Sequence, residues 1–421
     1  LKLLKMPKVQ CERCNFECAI TEASHGLVFP RCVPGTPCPK GRKKTQEKVA
    51  ADPMMVLLFY SYVRIEDVQG ELWRQRLLCE HLDLRGRVRI SIEGLNVILD
   101  GRQGALTCYC DAVRTGGNFG GPEIDFKLSG AGQATQRFPK LSCKQSSHVV
   151  EMGIADDLAR PESGARHVSP DEWHAMLDEF SSDPAPADDL LVLDARNIYE
   201  SRIGRFECMG AQTLAPDLRH FAQFPDFVDN NVDEFRGKRV MMYCTGGVRC
   251  ERASSYLLSK NVAKEVIQLK GGICRYLERF QGQPGFFRGK NFVFDYRRFE
   301  PWHDGAVLGR CDRCGEPWDD YDNGPEARCS VCRTLLLYCN ACRAAEQDEG
   351  LPKLFCGGSS CNGAQIRCGC GCGPDRTTGP ICRRTGYFTR KGAPASHEAH
   401  ERTCPAVPDQ AKQRVCCLPC W

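Results

Sequence analysis

A short apolar run that ends in a cysteine and two glycines constrains this chain more than any other feature. Val240-Met241-Met242-Tyr243 is typical of a buried strand; the loop Cys244-Thr245-Gly246-Gly247-Val248-Arg249 follows it, and then a helical pattern over 250–260. Together with the apolar stretch Leu190–Asp194, this predicts a parallel sheet covered by helices on both faces. Because ligands bind such sheets where strands end, we expect a site at the Cys244 loop.

The composition of this loop is typical of an anion cradle. Gly246 and Gly247 let backbone N–H groups turn inward, the helix start adds positive potential, and Arg249 adds a fixed charge. Such surroundings lower a cysteine pKa below its free value of about 8.5. We therefore predict Cys244 and Arg249 as catalytic residues, with an active-site loop formed by Thr245, Gly246, Gly247 and Val248. The alternative for Cys244 is a buried structural cysteine at a strand end.

Loop length and a second cysteine refine this hypothesis. Four residues separate Cys244 from Arg249, fewer than in protein phosphatases of related architecture, so a persulfide sulfur or another small group fits better than a phosphate. Cys250 either resolves an oxidised or persulfidated Cys244 or simply faces the sheet from the helix, which is the commoner role.

Composition and pattern divide the chain into six zones. Residues 1–52 form a Cys/Pro-rich arm or a small metal site with Cys11, Cys14, Cys18, Cys32 and Cys38. Over 53–155 the order of predicted elements is β-α-β-β-α-β, which is the ferredoxin-like (acylphosphatase-like) arrangement of an α+β domain. A capping box at Ser169-Pro170-Asp171-Glu172 helps to mark the next domain, 163–283, as doubly wound α/β. A basic and aromatic linker (284–310), a cysteine-rich module (311–372) and a poorly ordered tail (373–421) complete the chain.

Paired cysteines predict a metal-binding module near the C-terminus. Eight thiolates suffice for two tetrahedral structural zinc sites: Cys311, Cys314, Cys329, Cys332, Cys339, Cys342, Cys356 and Cys361. Fourteen residues separate the first two pairs, nearly the spacing of a zinc ribbon, but an interleaved pairing is equally open. The clusters within 368–420 match no site that we can define.

The linker mixes cations with aromatic residues. Arg288, Lys290, Arg297 and Arg298 alternate with phenylalanines and Tyr296, a mixture that suits phosphate contacts and base stacking in RNA. The alternative is that the phenylalanines belong to a core and the charges face solvent.

The cysteine content and the hydropathy of the chain indicate its cellular compartment. The chain has 29 cysteines, many of them in pairs, which favours the cytoplasm or another reducing compartment. The longest apolar run, 54–60, is far shorter than the roughly twenty residues of a membrane helix, so we expect no membrane association. The sequence begins at Leu1 and leaves organelle targeting open. A net charge of +4 is weak evidence for a nucleic-acid partner.

Residues 242–253 resemble the active-site motif of the rhodanese-like tRNA uridine(34) hydroxylases, which animal thiosulfate sulfurtransferase/rhodanese-like domain proteins share. Agreement runs from about 54 to 361 in five further motifs: Phe59-Tyr60-Ser61-Tyr62, Glu93-Gly94-Leu95-Asn96, Asp194-Ala195-Arg196, Gly271-Gly272-Ile273 and Gly289-Lys290-Asn291-Phe292. Two departures are Arg205, where the family usually has histidine, and 142–148, which lacks the usual basic segment.

The resemblance implies a rhodanese domain with Asp194 and Arg196 as supporting residues. It also implies oxygen-dependent hydroxylation of wobble uridine 34, with the loop cysteine required, the tRNA anticodon loop as partner and molecular oxygen as co-substrate. The principal alternative is a sulfurtransferase that passes persulfide sulfur from thiosulfate or another donor to an acceptor. A rhodanese and zinc-ribbon binding module without catalysis is the third hypothesis. Which tRNAs, which electron source and which oligomeric state apply are left open.

Overall fold

A computed structural model describes residues 8–10, 17–19, 52–119, 123–131, 137–182, 190–283, 285–300, 305–321, 327–329 and 333–346. The chain divides into two units, one of residues 1–197 and 205–304 and one of residues 198–204 and 305–421. In the N-terminal arm, strands β1 (Lys8–Gln10) and β2 (Glu17–Ala19) pair antiparallel. Of the cysteines considered for a metal site in the arm, Cys18 lies in β2, and Cys11, Cys14, Cys32 and Cys38 lie outside the described residues, as does the predicted low-order tail.

The ferredoxin-like domain is built on a five-stranded sheet. Its elements are β3 (Met54–Tyr62), α1 (Val68–His81), β4 (Arg85–Ser91), β5 (Gly94–Arg102), α2 (Gln103–Thr115), β6 (Lys127–Gly130) and β7 (Leu141–Gln145). The strand order is β6-β3-β5-β4-β7, with β7 parallel to β4 and every other pair antiparallel. The predicted β-α-β-β-α-β order is therefore confirmed, and β7 extends the sheet at one edge.

Side-chain alternation gives this sheet two different faces. Leu57 and Phe59 of β3 are fully buried in the core that also contains residues of α1 and α2. Leu58, Tyr60 and Tyr62 alternate with them along β3 and therefore point to the opposite face. One face thus packs on the helices, and the other is available to cover a second element of the chain.

The rhodanese domain contains a five-stranded, fully parallel sheet of order β11-β9-β12-β13-β8. The helices and strands of this domain are, in chain order, β8 (Arg166–Val168), α3 (Pro170–Ser182), β9 (Leu190–Asp194), α4 (Ile198–Ser201), β10 (Gly204–Phe206), β11 (Gln212–Leu214), α5 (Phe224–Asn230), β12 (Arg239–Tyr243), α6 (Val248–Ser259), β13 (Glu265–Leu269), α7 (Gly272–Arg279) and β14 (Phe287–Gly289).

Helices cover both faces of this sheet, as predicted. Alternate residues of β9 and β12 enter one core with α5 and α6 and a second core with α3 and α7. The predicted capping box forms at the start of α3: Ser169 N donates to Glu172 Oε2 at 2.7 Å, and Glu172 N donates to Ser169 Oγ at 3.1 Å. The predicted fold class, α+β followed by doubly wound α/β, is confirmed.

The described part of the second unit contains two similar turns, one that begins at Cys311 and one that begins at Cys329. A β-bridge between Arg310 and Pro317 closes the first turn, and one between Arg328 and Leu335 closes the second. In the first, the Cys311 carbonyl accepts from Gly315 N; in the second, the Cys329 carbonyl accepts from Arg333 N. Helix α8 (Asn340–Glu346) follows; of the third pair, Cys339 directly precedes this helix and Cys342 lies in it.

Candidate functional site

The Cys244 loop joins β12 to α6 at the carboxyl edge of the parallel sheet. The Cys244 side chain is fully buried. Gly247 has a φ of +101°, a conformation that glycine adopts without steric cost, and its N–H lies 3.1 Å from Cys244 Sγ. Helix α6 begins at the next residue, so the thiol faces a helix N-terminus, as the sequence predicts.

The surroundings of Cys244 favour the thiolate. Burial by itself raises the pKa of this thiol, but a hydrogen bond from the Cys250 thiol, the charge of Arg249 and the backbone amides of Arg249 and Gly247 outweigh it. The net result is that the pKa of Cys244 falls to about 5. At neutral pH the side chain is therefore an anion that hydrogen bonds and a guanidinium hold in place.

Arg249 and Cys250 occupy the first turn of α6 with different tasks. Arg249 Nη2 donates to Thr245 Oγ1 at 3.2 Å, and its guanidinium lies 5.7 Å from the Phe294 ring centroid, so the cation is fixed beside the loop. Cys250 is fully buried, and burial together with the neighbouring thiolate holds its pKa well above the ordinary value. It thus serves Cys244 as a hydrogen-bond donor, while its role as a resolving cysteine stays a prediction.

Asp194 and Arg196 support the loop through the sheet. Both side chains are fully buried in a 2.8 Å ion pair, and Tyr243, which directly precedes Cys244, donates its hydroxyl to Asp194 Oδ2 at 2.8 Å. The backbone of Ala195 bonds the Tyr243 carbonyl at 2.9 Å. This network locks the ends of β9 and β12 together and so fixes the point at which the loop leaves the sheet.

The ferredoxin-like sheet covers the Cys244 loop, which the sequence alone did not reveal. A Cβ added at Gly246 would lie 3.2 Å from Leu58 Cδ2, and one at Gly247 would lie 2.8 Å from Tyr60 Oη. Tyr60 Oη donates to Glu251 Oε1 at 2.8 Å, and Tyr62 Oη donates to the Val248 carbonyl at 3.2 Å. The family motif around Tyr60 was the available signal, but a strand pattern does not tell which element its outer face contacts.

Ion pairs fasten the two domains on either side of this contact. Arg252 of α6, only 1% exposed, pairs with Glu93 in the β4–β5 turn at 3.4 Å. Arg275 of α7 pairs with Asp125 at 2.6 Å, just before β6. The thiolate loop is therefore held between two domains rather than open on the surface of one.

The four cations predicted to contact RNA have different environments. Arg288 is exposed, and the Lys290 ammonium lies 4.4 Å from the Phe299 ring centroid. Arg297, by contrast, pairs with Asp295 at 2.6 Å and donates to the Gly130 carbonyl at 2.7 Å, so it anchors the ferredoxin-like domain. Arg298 occupies a left-handed turn with φ +65°. Phe287 and Phe292 are buried, as the core alternative expected, and the RNA contacts stay a prediction.

Four of the predicted metal ligands converge in the second unit. The sulfur atoms of Cys311, Cys314, Cys339 and Cys342 all lie within 4.8 Å of one another, with a Cys311–Cys342 separation of 3.9 Å and a Cys314–Cys339 separation of 3.7 Å. Tetrahedral coordination with metal–sulfur bonds of about 2.3 Å requires sulfur separations of about 3.8 Å. The cluster can therefore hold a metal ion, and it joins the first and third pairs.

Of the four remaining predicted metal ligands, only Cys329 is among the described residues. Cys329 is buried and lies outside the four-sulfur cluster. Cys332, Cys356 and Cys361 lie outside the described residues.

None of the helices in the described part of the chain has the length and apolar character of a membrane-spanning segment.

Known proteins resemble this chain over most of its length. The family described as UPF0176 acylphosphatase like domain matches residues 54–149, and the one described as Rhodanase C-terminal matches residues 288–362. Rhodanese-like domain-containing protein 6 of Arabidopsis thaliana is 39% identical over 298 residues, 68% of this chain but only 50% of that protein.

Two bacterial relatives are matched almost end to end. The tRNA uridine(34) hydroxylase of Pseudarthrobacter chlorophenolicus is 36% identical over 306 residues, which cover 70% of this chain and 97% of that protein. Its namesake from an Arthrobacter species is 34% identical over 307 residues, 71% of this chain and 97% of that protein. These relatives show that the chain belongs to the tRNA uridine(34) hydroxylase family.

Proposed function

We propose that this protein hydroxylates C5 of the wobble uridine, position 34, in tRNA, and that Cys244 is the nucleophile. The observation that carries the proposal is the Cys244 thiolate itself, with a pKa of about 5 in a chain of this family. A thiolate at neutral pH can attack an electron-poor carbon without a separate base. Arg249 and the loop amides would stabilise the negative charge that develops during the reaction.

Hydroxylation by molecular oxygen sets the stoichiometry. One oxygen atom enters the base and the other leaves as water, so the reaction also consumes two electrons and two protons from a donor. The described residues supply the thiolate and the anion cradle, and an external reductant supplies the electrons. Oxygen is therefore a co-substrate in this proposal.

Exposed and half-buried cations support tRNA as the partner. Besides Arg288 and Lys290, a cleft of about 380 Å³ at the β7 edge of the ferredoxin-like domain is lined by Arg76, Lys140 and Lys144, with Glu80 as its one anion. Cations spaced along a surface bind the phosphates of a nucleic acid. We infer that these side chains hold the anticodon arm.

We also propose that the four-cysteine cluster binds structural zinc. Four thiolates at tetrahedral spacing are the ligand set of a closed zinc site, which keeps no position open for substrate. A second site would use Cys329, whose turn resembles that of Cys311, together with Cys332, Cys356 and Cys361. The paired cysteines, whose spacing suits a metal better than disulfides, support a reducing compartment such as the cytoplasm.

The test is the modified-nucleoside profile of tRNA by mass spectrometry. Cells that lack this protein should lose 5-hydroxyuridine derivatives, and the wild-type gene should restore them. Cys244→Ser should fail to restore them, whereas Cys208→Ser should succeed, because Cys208 is a buried thiol of the same domain that only bonds Ser181 and backbone carbonyls. An unchanged profile in the deletion strain would refute the proposal.

A sulfurtransferase is the second candidate, because an amide that points at Sγ can equally hold a persulfide sulfur. It predicts cyanide:thiosulfate activity that depends on Cys244. Unchanged tRNA nucleosides together with robust activity in that assay would favour it over hydroxylation.

A further inference from the structure

Tyr60 contacts the Cys244 loop although it belongs to the other domain. Its hydroxyl would lie 2.8 Å from a Cβ at Gly247, the residue whose amide points at Cys244 Sγ. The same hydroxyl donates to Glu251 Oε1 at 2.8 Å. One phenol therefore contacts both the turn that holds the thiolate and the first turn of α6.

Glu251 is the acidic side chain in that first turn, and it is only 12% exposed. Three groups surround its carboxylate: Tyr60 Oη and His167 Nε2 lie 2.8 and 3.1 Å from Oε1, and Gln268 Nε2 lies 3.2 Å from Oε2. The charges of Glu251 and Cys244 both act on Tyr60, and a carboxylate in the neighbourhood of a thiolate disfavours the sulfur anion unless hydrogen bonds hold and delocalise its charge. The three contacts provide that restraint.

We infer that Tyr60 is a positioning residue of the Cys244 site, which restrains the Glu251 carboxylate and seats the ferredoxin-like sheet on the Gly247 turn. The inference rests on the proposed role of Cys244 as the reactive thiolate, but not on the identity of the product. It makes the ferredoxin-like domain part of the active site as well as a candidate surface for RNA.

Other groups also act on the thiolate and must be kept constant in any test. Those that act on it are Arg249 and Cys250 from α6, the backbone amides of Gly247 and Arg249, and Tyr60 and Tyr62 from β3, while Glu251 acts on Cys250 and on both tyrosines. Tyr62 is the useful reference, because its hydroxyl donates to the Val248 carbonyl and not to the Glu251 carboxylate. Tyr60 and Tyr62 thus differ in the group that each one restrains.

The experiment is a pH titration of the Cys244 thiolate in the full chain. Ultraviolet absorbance of each variant minus that of its Cys244→Ser counterpart isolates this sulfur and needs no substrate. Tyr60→Phe keeps the ring and removes the hydroxyl, so the Cys244 pKa should rise by about half a unit to one unit. Tyr62→Phe should leave it unchanged within about 0.2 unit.

Glu251→Gln tests the same contact from the other side. Removing the anion should lower the Cys244 pKa, and in that background Tyr60→Phe should no longer raise it. A Tyr60→Phe protein that melts at a lower temperature with the wild-type pKa would mean that Tyr60 is merely structural, and the inference would be overturned. The titration needs no tRNA, so loss of the hydroxylase proposal would not by itself affect this result.

Discussion

Cys244 and the four-cysteine cluster hold sulfur in different ways. Cys244 faces a backbone amide at 3.1 Å, a guanidinium and one protonated thiol. Cys311, Cys314, Cys339 and Cys342 face one another, with sulfur atoms 3.7 to 3.9 Å apart in their closest pairs. Donors around one sulfur leave its lone pairs available for chemistry, whereas four sulfurs around one point direct theirs to a metal.

This difference shows that the neighbours of a cysteine, more than the cysteine itself, determine whether it suits nucleophilic chemistry or metal binding. The Cys244 site depends on the turn at Gly247, on the buried Asp194–Arg196 pair and on a second domain that covers it. The cluster depends on cysteine pairs in small turns that have little core of their own. Perturbing one should therefore leave the other largely intact.

The largest effect should come from removing a metal ligand. Cys311→Ser should lose about one equivalent of zinc relative to the wild type, because structural zinc contributes about 10–16 kcal/mol of apparent binding free energy in small modules. Cys244→Ser should keep the full wild-type zinc content. Elemental analysis of the two purified proteins measures their zinc content, and equal zinc in both would contradict the different roles assigned to Cys311 and Cys244.

A smaller effect should follow from a methyl group at the loop turn. Gly247→Ala should destabilise the protein by about 2 kcal/mol, since alanine must adopt a positive φ and its Cβ meets the Tyr60 hydroxyl. The Gly247 amide should shift, so the Cys244 pKa should rise toward its ordinary value.

Gly237→Ala is the matched control for that variant. Gly237 also has a positive φ, +71°, but a Cβ there would meet nothing within 4 Å. Gly237→Ala should lower the free energy of unfolding by only about 1 kcal/mol, the cost of a positive φ at alanine, and leave the Cys244 pKa unchanged. Urea unfolding and the thiolate titration compare the two variants, and indistinguishable results would show that the Tyr60 contact is unimportant.

Local patterns sufficed to predict much of the fold and the reactive loop. Apolar runs located β9 and β12, and the two glycines with Arg249 located the thiolate, because these interactions lie within a few residues of one another. Strand β6 begins only at Lys127, because Phe126 N bonds the Ile124 carbonyl in a turn that precedes the strand.

Contacts distant in sequence could not be predicted in this way. Cys311 and Cys329 begin nearly the same local turn, so only the path of the chain decides that Cys311, and not Cys329, meets Cys342. Likewise, alternation placed Tyr60 on one face of β3 without showing that this face covers α6. Arg297 belongs to the same class, since its hydrogen bond to the Gly130 carbonyl joins residues that are far apart in the sequence.

The most direct test is the difference titration of wild type against Cys244→Ser. Thiolate absorbance should appear with a midpoint near pH 5 and stay constant up to pH 7 and beyond, because the pKa of Cys244 is lowered to about 5. A midpoint at or above the ordinary cysteine value of about 8.5 would mean that the loop does not stabilise the anion, and would contradict the role assigned to Cys244.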